Sequence, residues 1–437
     1  MNKRFKLFVV TGSTCLLIML LVGARLGKSA STDEGAYRHM AVFQEVLARI
    51  KSDYVEEPNL QNVTLGAVNG LLESVDPFAS FLNADQYKQY LKEKDAYKGD
   101  IGAVLSKRYG YVGVVSALPG SPAEKAGLAT GDLIESIKGV ATRDMPLAYA
   151  EILLKGQPGT EVEISLMHLP DPEAQKIKLI RAVIVAGPVT QRMLAAQTGY
   201  IRPDTLSAAR VAEIAAAVRD LEKQGAKGFV LDLRQCAVGT PEDGLALANL
   251  FVQGGLLTYL QGQKTPRQDF YADASKNVTR LPLVVATNRG TAAGAEIAAS
   301  AMLDNKRAQV VGERTYGDAA VRRAITMDDG SAVILSVAKY YNAAGKTIQD
   351  TGVVPSVPYL ENEAALDQEA EDAPVAAPKP AAPTRPEDDG LLKRAIEVLT
   401  KGPGPAAQKQ PEPAAPKAPA TVPPSGDTHP EIAPKQP

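Results

Sequence analysis

The period of the apolar positions changes along this chain, and the changes divide it. From Tyr37 to Tyr54 the residues Met40, Phe43, Leu47 and Ile50 recur at helical spacing, and a second helix over Leu65 to Val75 is stopped by Asp76-Pro77. Residues 98–182 instead read as strands broken by turns. Tyr111 to Ala117 is a strand, Pro119-Gly120-Ser121-Pro122 turns into a short helix that Gly127 ends, and Leu133 to Ile137 lies between Gly131 and Gly139. From Gly199 on, short apolar runs alternate with amphipathic stretches. Gly199 to Arg202 and Phe229 to Leu233 read as strands, the latter unbroken enough to be buried on both faces, and Ser207 to Gln224 reads as a helix carrying Ala212, Ile214, Val218 and Leu221. A helix over Leu245 to Val252, a strand near Leu256 to Tyr259, a strand at Leu283 to Ala286 and a long strand at Ala332 to Tyr341 complete an α/β pattern. Between the last two, a turn of small residues opens an Ala-rich helix that reaches Asp304. A strand running through such a turn into a helix N-terminus is the usual place for a reaction site in this architecture.

The two ends differ from the middle. Lys3, Arg4 and Lys6 precede an apolar run from Leu7 to Ala24, which reads as a secretory signal or an uncleaved signal anchor. Its basic flank predicts that the rest of the chain lies outside the cytoplasmic membrane, and the lack of a small-residue cleavage site after Arg25 and Lys28 favours the anchor. The tail from Glu361 is rich in Pro, Ala and charge and is expected to be disordered apart from a short helix over 390–401.

Composition removes several classes of function. The net charge of −2 over 437 residues offers no basic field for nucleic acid. With only Cys15 and Cys236, no disulfide framework is expected. His39, His168 and His429 have no ligand spacing, so neither a metal, nor a cofactor held by one, nor a histidine-based triad is expected.

Specific words lie on this frame. Thr287 to Ile297 reads Thr-Asn-Arg-Gly-Thr-Ala-Ala-Gly-Ala-Glu-Ile, and Gly312-Glu313-Arg314-Thr315-Tyr316-Gly317-Asp318 follows. Earlier stands Asp232-Leu233-Arg234-Gln235-Cys236-Ala237-Val238-Gly239, and later Gly345-Lys346-Thr347-Ile348-Gln349 leads to Gly352-Val353-Val354-Pro355. These resemble the carboxyl-terminal processing, or tail-specific, serine peptidases, whose patterns are Gly-Ser-Ala-Ser-Ala-Ser-Glu-Ile, Gly-Glu-Arg-Thr-Phe-Gly-Lys and Asp-Leu-Arg-Asn-Asn-Pro-Gly-Gly. The phrase Ser121-Pro122-Ala123, then Ala126-Gly127-Leu128 and Gly131-Asp132-Leu133-Ile134, resembles a PDZ domain.

The resemblance spans roughly Ala36 to Tyr359 and implies a mixed α/β chain: a leader (1–30), an N-terminal helical region (31–97), a PDZ domain (98–182), a peptidase-like core of the ClpP/crotonase type (183–360) and the tail (361–437). It also implies a serine nucleophile, a lysine base and a helping glutamine. Aligned without gaps, these fall at Ala293, Asp318 and Arg322, and the oxyanion positions fall at Val238, Gly239 and Gly294. Ala293 has no nucleophilic atom, and groups that act as a unit are changed together. Asp318 and Arg322 suggest a charge pair in their place, with Arg323 close by. The carboxylate-binding loop of a PDZ domain falls at Ile101, Gly102, Ala103 and Val104, implying protein or peptide C-terminal segments as partners.

The expectation is a peptidase homologue outside the cytoplasmic membrane that binds or scaffolds peptides without cleaving them. An active relative, an envelope complex, a second copy of the chain and the membrane, through the leader, are its expected partners. The alternative is an active endopeptidase with a displaced hydroxyl at Thr291 or Ser300. A third reading, a purely structural protein, closes the PDZ groove.

Overall fold

The computed structural model describes residues 33–94, 96–143, 145–168, 173–360 and 389–402. The expected leader, and the tail on either side of 389–402, lie outside the described residues. The chain divides into two compact units, one ending at Val75 and one beginning at Asp76.

The first unit holds α1 (Asp33–Asp53) and α2 (Leu60–Glu73). Along α1, Met40 and Phe43 are exposed while Leu47 and Ile50 are half-buried. Helix α2 opens five residues ahead of the expected Leu65. The Asn59 side chain accepts the Asn62 N–H at 3.1 Å, and this cap fixes the start where apolar periodicity gave no signal.

The second unit opens with β1 (Ser80–Leu82) and α3 (Ala84–Glu93), whose first turn is closed by reciprocal Asn83 and Gln86 bonds. The β-rich module follows in chain order: β2 (Gly99–Asp100), β3 (Ala103–Arg108), β4 (Tyr111–Ala117), α4 (Pro122–Lys125), β5 (Leu133–Ile137), β6 (Val140–Ala141), α5 (Leu147–Leu154), β7 (Glu161–Met167), β8 (Gln175–Ile180) and β9 (Ala182–Val183). Strands run in the order β3-β4-β5-β7-β8, all antiparallel, with β6 beside β5 and β2 paired to β9. Helix α5 has no amphipathic period because it is apolar nearly all round. Leu147, Ala148, Ala150, Ile152, Leu153 and Leu154 are all buried, so a sequence pattern of two faces does not exist to be read.

The core continues with β10 (Thr190–Leu194), β11 (Thr198–Arg202), α6 (Ala208–Lys223), β12 (Gly228–Asp232), α7 (Pro241–Asn249), β13 (Leu256–Gln261), β14 (Gln268–Tyr271), β15 (Leu283–Thr287), α8 (Gly294–Asp304), β16 (Gln309–Gly312), β17 (Ala320–Thr326), β18 (Ala332–Tyr341), β19 (Val357–Pro358) and α9 (Gly390–Lys401). One sheet has the order β10-β11-β12-β15-β16-β19, parallel except for the β10–β11 pair. The other has the order β1-β18-β13-β14, with β17 paired to β18. Helix α7 starts at Pro241, ahead of the expected Leu245. Proline suits the first helical position, and Thr240 and Asp243 cap each other.

Alternation along β12 sends Phe229 and Leu231 into a cluster with Ile214, Val218, Leu247, Ala298 and Met302 from α6, α7 and α8. Val230 faces the other way, into a cluster with Tyr200, Val284, Val311 and Val357. Helix α9 covers this second face with Leu392, Ala395 and Val398. Its capping residue Asp389 accepts the Leu392 N–H at 2.9 Å and also receives both guanidinium arms of Arg234, at 3.1 and 2.6 Å. Arg234 simultaneously holds the buried Asp232. A parallel sheet needs both faces covered, and the tail helix supplies the second cover. Leu392→Ala should therefore lower unfolding stability by about 3 kcal/mol, read as a lower midpoint in urea; an unchanged midpoint would show that α9 contributes nothing to the core.

Candidate functional site

The loop between β15 and α8 is built by short-range bonds. The Thr291 hydroxyl oxygen accepts the Asn288 N–H at 3.1 Å and donates to the Leu233 carbonyl at 2.8 Å. Asn288 Oδ1 accepts the N–H groups of Gly290 and Gln235. Ala292 N–H donates to the Cys236 carbonyl at 3.1 Å. Ala293 then turns sharply into α8 with φ +54° and ψ −128°. Non-glycine residues rarely hold this conformation, and it survives only where the surroundings impose it. A strained elbow of this kind is how a nucleophile is presented at a strand-to-helix turn. Here the presented group is a methyl.

Glu296, three residues into α8, imposes the turn. Its carboxyl is fully buried. Oε2 accepts the N–H of Ala293 at 3.2 Å and of Asp318 at 2.8 Å. Oε1 accepts the N–H of Gly317 at 2.6 Å and the Thr315 hydroxyl. Thr315 in turn accepts the Val353 N–H at 2.7 Å. One carboxyl thus fastens the position matched to the nucleophile to the loop carrying the position matched to the base. Burial pushes its pKa up to about 8, against the Thr315 hydroxyl and the Asp318 and Gly317 N–H groups that pull it down. Nothing in the sequence reading gave Glu296 a role, although an acid at the third position of a helix is a recognisable capping signal.

The turn after β12 carries the remaining matched positions. Gln235 takes the left-handed backbone conformation (φ +62°), and Val238 does not. Gly294 N–H points at the Gly239 carbonyl, 3.4 Å away. An oxyanion hole needs converging N–H donors. In this arrangement the Gly294 donor faces a carbonyl from the other half of the hole. Glycine at 294 also serves packing, since a Cβ there would lie 2.3 Å from the Thr240 carbonyl oxygen. Cys236 is buried, and burial pushes its thiol up to about 12, so it is no nucleophile near neutral pH.

Asp318 and Arg322 pair, as expected, and Arg322 also lies over the Phe78 ring at 4.2 Å from its centroid. Arg323 is exposed on β17 and takes no part in that pair. Both displaced-hydroxyl candidates are buried. Thr291 is engaged with the loop as above, and Ser300 lies inside α8.

The β-rich module is seated directly on this region. Ser116 Oγ lies 3.1 Å from both the carbonyl and the side-chain oxygen of Gln235, and Thr130 Oγ1 lies 3.1 Å from that same side-chain oxygen. Val115 packs with Ala237 and Ala292, and Val104 and Tyr316 border them. In the loop before β3, Ile101 is buried, and Gly102 has φ +78° with Ser121 Cβ only 2.4 Å from where a side chain would begin. Gly102 N–H donates to Asp100 at 2.8 Å. Ala103 and Val104 begin the end strand of the sheet. Among the described residues no cluster of three or more His, Cys, Asp or Glu side chains could hold a metal ion.

Comparison with known proteins places this geometry. The model of peptidase family S41 matches residues 197–359, and a PDZ domain model matches residues 113–166. Carboxy-terminal processing protease CtpA of Bacillus subtilis (strain 168) is 31% identical over 366 residues, covering 82% of this chain and 78% of that protein. The carboxyl-terminal-processing protease of Synechocystis sp. is 31% identical over 315 residues, covering 70% and 73%. The solved structure of a photosystem II D1 C-terminal processing protease superposes with a TM-score of 0.61 at 28% identity, covering 73% of this chain and 92% of that one.

The Glu296 linkage gives a measurable pH dependence. A carboxyl whose folded pKa lies above its unfolded value stabilises the fold fully below about 4.5 and loses that contribution as pH rises through about 8. Glu296→Gln should melt below the wild type, because one carboxyl oxygen is replaced by an NH2 group that cannot accept the N–H bonds made to it. The gap between the two melting temperatures should narrow from acidic to alkaline pH across that window. A gap that widens would mean the carboxyl is held ionised.

Proposed function

We propose that this chain, which belongs to the carboxyl-terminal processing peptidases of family S41, is a non-catalytic member that receives C-terminal peptide segments and scaffolds them. The observation that carries this reading is the elbow at Ala293: the backbone is held as if to present a nucleophile, and the side chain has none. A serine–lysine dyad needs a hydroxyl in line with a carbonyl and a neutral amine beside it. Position 293 gives a methyl, position 318 gives a carboxylate paired with Arg322, and the nearest hydroxyl in the loop, at Thr291, is committed to the Leu233 carbonyl. Misplacement by even an ångström removes much of the rate.

The PDZ domain supports the binding half of the reading. Its end strand β3 is paired on one side by β4, and the loop before it is built for close backbone approach. The basic-flanked apolar leader supports residence outside the cytoplasmic membrane, held there by an anchor; alkaline carbonate should fail to extract the full chain from membranes, and ready extraction would remove the anchor from the account. Among the described residues no helix is long and apolar enough to cross a membrane.

Two measurements test the function. Wild-type protein should leave β-casein intact over hours. The combined Ala293→Ser, Asp318→Lys, Arg322→Gln, Val238→Gly variant should cleave it, and Ala293→Ser alone should not, because catalytic groups act as a unit. A fluorescein-labelled peptide ending in valine should bind the wild type and lose about tenfold in affinity when its carboxylate is amidated. Wild-type cleavage that survives purification and is abolished by a change in the 287–323 region would overturn the proposal.

A further inference from the structure

The hydrophobic cluster of the PDZ domain, built from residues between Ile101 and Leu179, has one buried member from outside the domain: Phe78. This residue precedes β1, which pairs with β18 of the core. Its segment is held at several points. Asp76 is buried, with Oδ1 accepting the Phe78 N–H at 3.0 Å and Oδ2 accepting the Ser336 N–H at 2.9 Å. The Ser80 hydroxyl oxygen accepts the Ala148 N–H at 3.2 Å, in the first turn of α5, whose own N-cap residue is Pro146 and makes no side-chain cap. On the other side of Phe78, the Tyr316 ring meets it edge-on, with centroids 5.9 Å apart. Tyr316 also packs against the PDZ cluster to which β3 contributes Leu105.

Phe78 is therefore bracketed by the two elements that flank a PDZ peptide groove: the end strand β3, reached through Tyr316, and the helix α5, reached through Ser80. A peptide that adds beside such a strand places alternate side chains into the apolar space between strand and helix. We propose that Phe78 is a built-in occupant of that space, which an incoming apolar side chain must displace in order to seat. This rests on the peptide-binding reading above and adds its regulation. The outer face of the ring carries the Arg322 guanidinium, 4.2 Å from the centroid, and Arg322 is paired with Asp318. Displacement of Phe78 would break that stack, so groove occupancy is reported to the position matched to the family's base. A groove filled at rest lowers apparent affinity by the fraction of time it is open.

The test uses the full chain and the valine-ended fluorescein peptide. Anisotropy titration should show Phe78→Ala binding the peptide about tenfold more tightly than the wild type, because the open fraction rises. The chain has no tryptophan, so Phe78→Trp supplies the only indole. Saturating peptide should shift its emission to the red and expose it to iodide quenching. Equal or weaker binding by a cooperatively folded Phe78→Ala, or an indole that stays shielded at saturation, overturns the proposal while the peptide-binding reading stands. If Phe78→Ala does not fold, the indole readout decides. Absence of binding to the wild type and to both variants overturns the peptide-binding reading and this proposal together.

Discussion

A single buried carboxyl, that of Glu296, holds the centre of this protein in shape. It gathers three backbone N–H groups and one hydroxyl from two segments that are far apart in sequence, 293 and 315–318. Leaving such donors unpaired in a dry interior would cost about 1–3 kcal/mol each, so the arrangement is strongly imposed. It explains how Ala293 keeps a backbone conformation that alanine avoids. Of the side chains in the surrounding family words, the arrangement draws on Glu296 itself and the Thr315 hydroxyl, whatever residue stands at 293 or 318.

The turn after β12 is the second fixed point, and it connects layers. Arg234 grips Asp232 on one side and the cap of the tail helix α9 on the other, while its neighbour Gln235 is bonded to Ser116 and Thr130 of the PDZ domain. Adjacent residues thus tie the sheet, its outer cover and the PDZ domain together. The PDZ domain rests on the loop region itself, through Val115 against Ala237 and Ala292. Gly294 N–H is turned toward the Gly239 carbonyl, and Asp318 is paired with Arg322. A Gly294 donor so placed is a poor starting point for building negative charge on a substrate oxygen.

Most of the strand and helix pattern was legible because burial on defined faces dictates it. Tyr111–Ala117, Ala332–Tyr341 and Gly390–Lys401 fall where periodicity and turn residues put them. Helix α5 escaped because burial on all sides erases the 3.6-residue signal, and the starts of α2 and α7 escaped because caps rather than apolar positions set them. At the candidate site, motif alignment singled out Ala293, Asp318, Arg322 and the 238–239 turn as the matched positions. It could not show Glu296 as the link between them, since that link depends on tertiary distance, nor the seat of the PDZ domain on Gln235, nor Phe78 inside the PDZ cluster. Phe78 reads in sequence as one apolar residue after a helix-stopping proline, and only the fold gives it neighbours.

The most direct check on the central claim is covalent labelling of the full-length chain with a fluorophosphonate, followed by peptide mapping of residues 287–323. The account predicts no adduct in that region, because no activated hydroxyl faces the cleft there. A stoichiometric adduct on Thr291 or Ser300, abolished by substituting that residue, would contradict it and return the protein to the active peptidases.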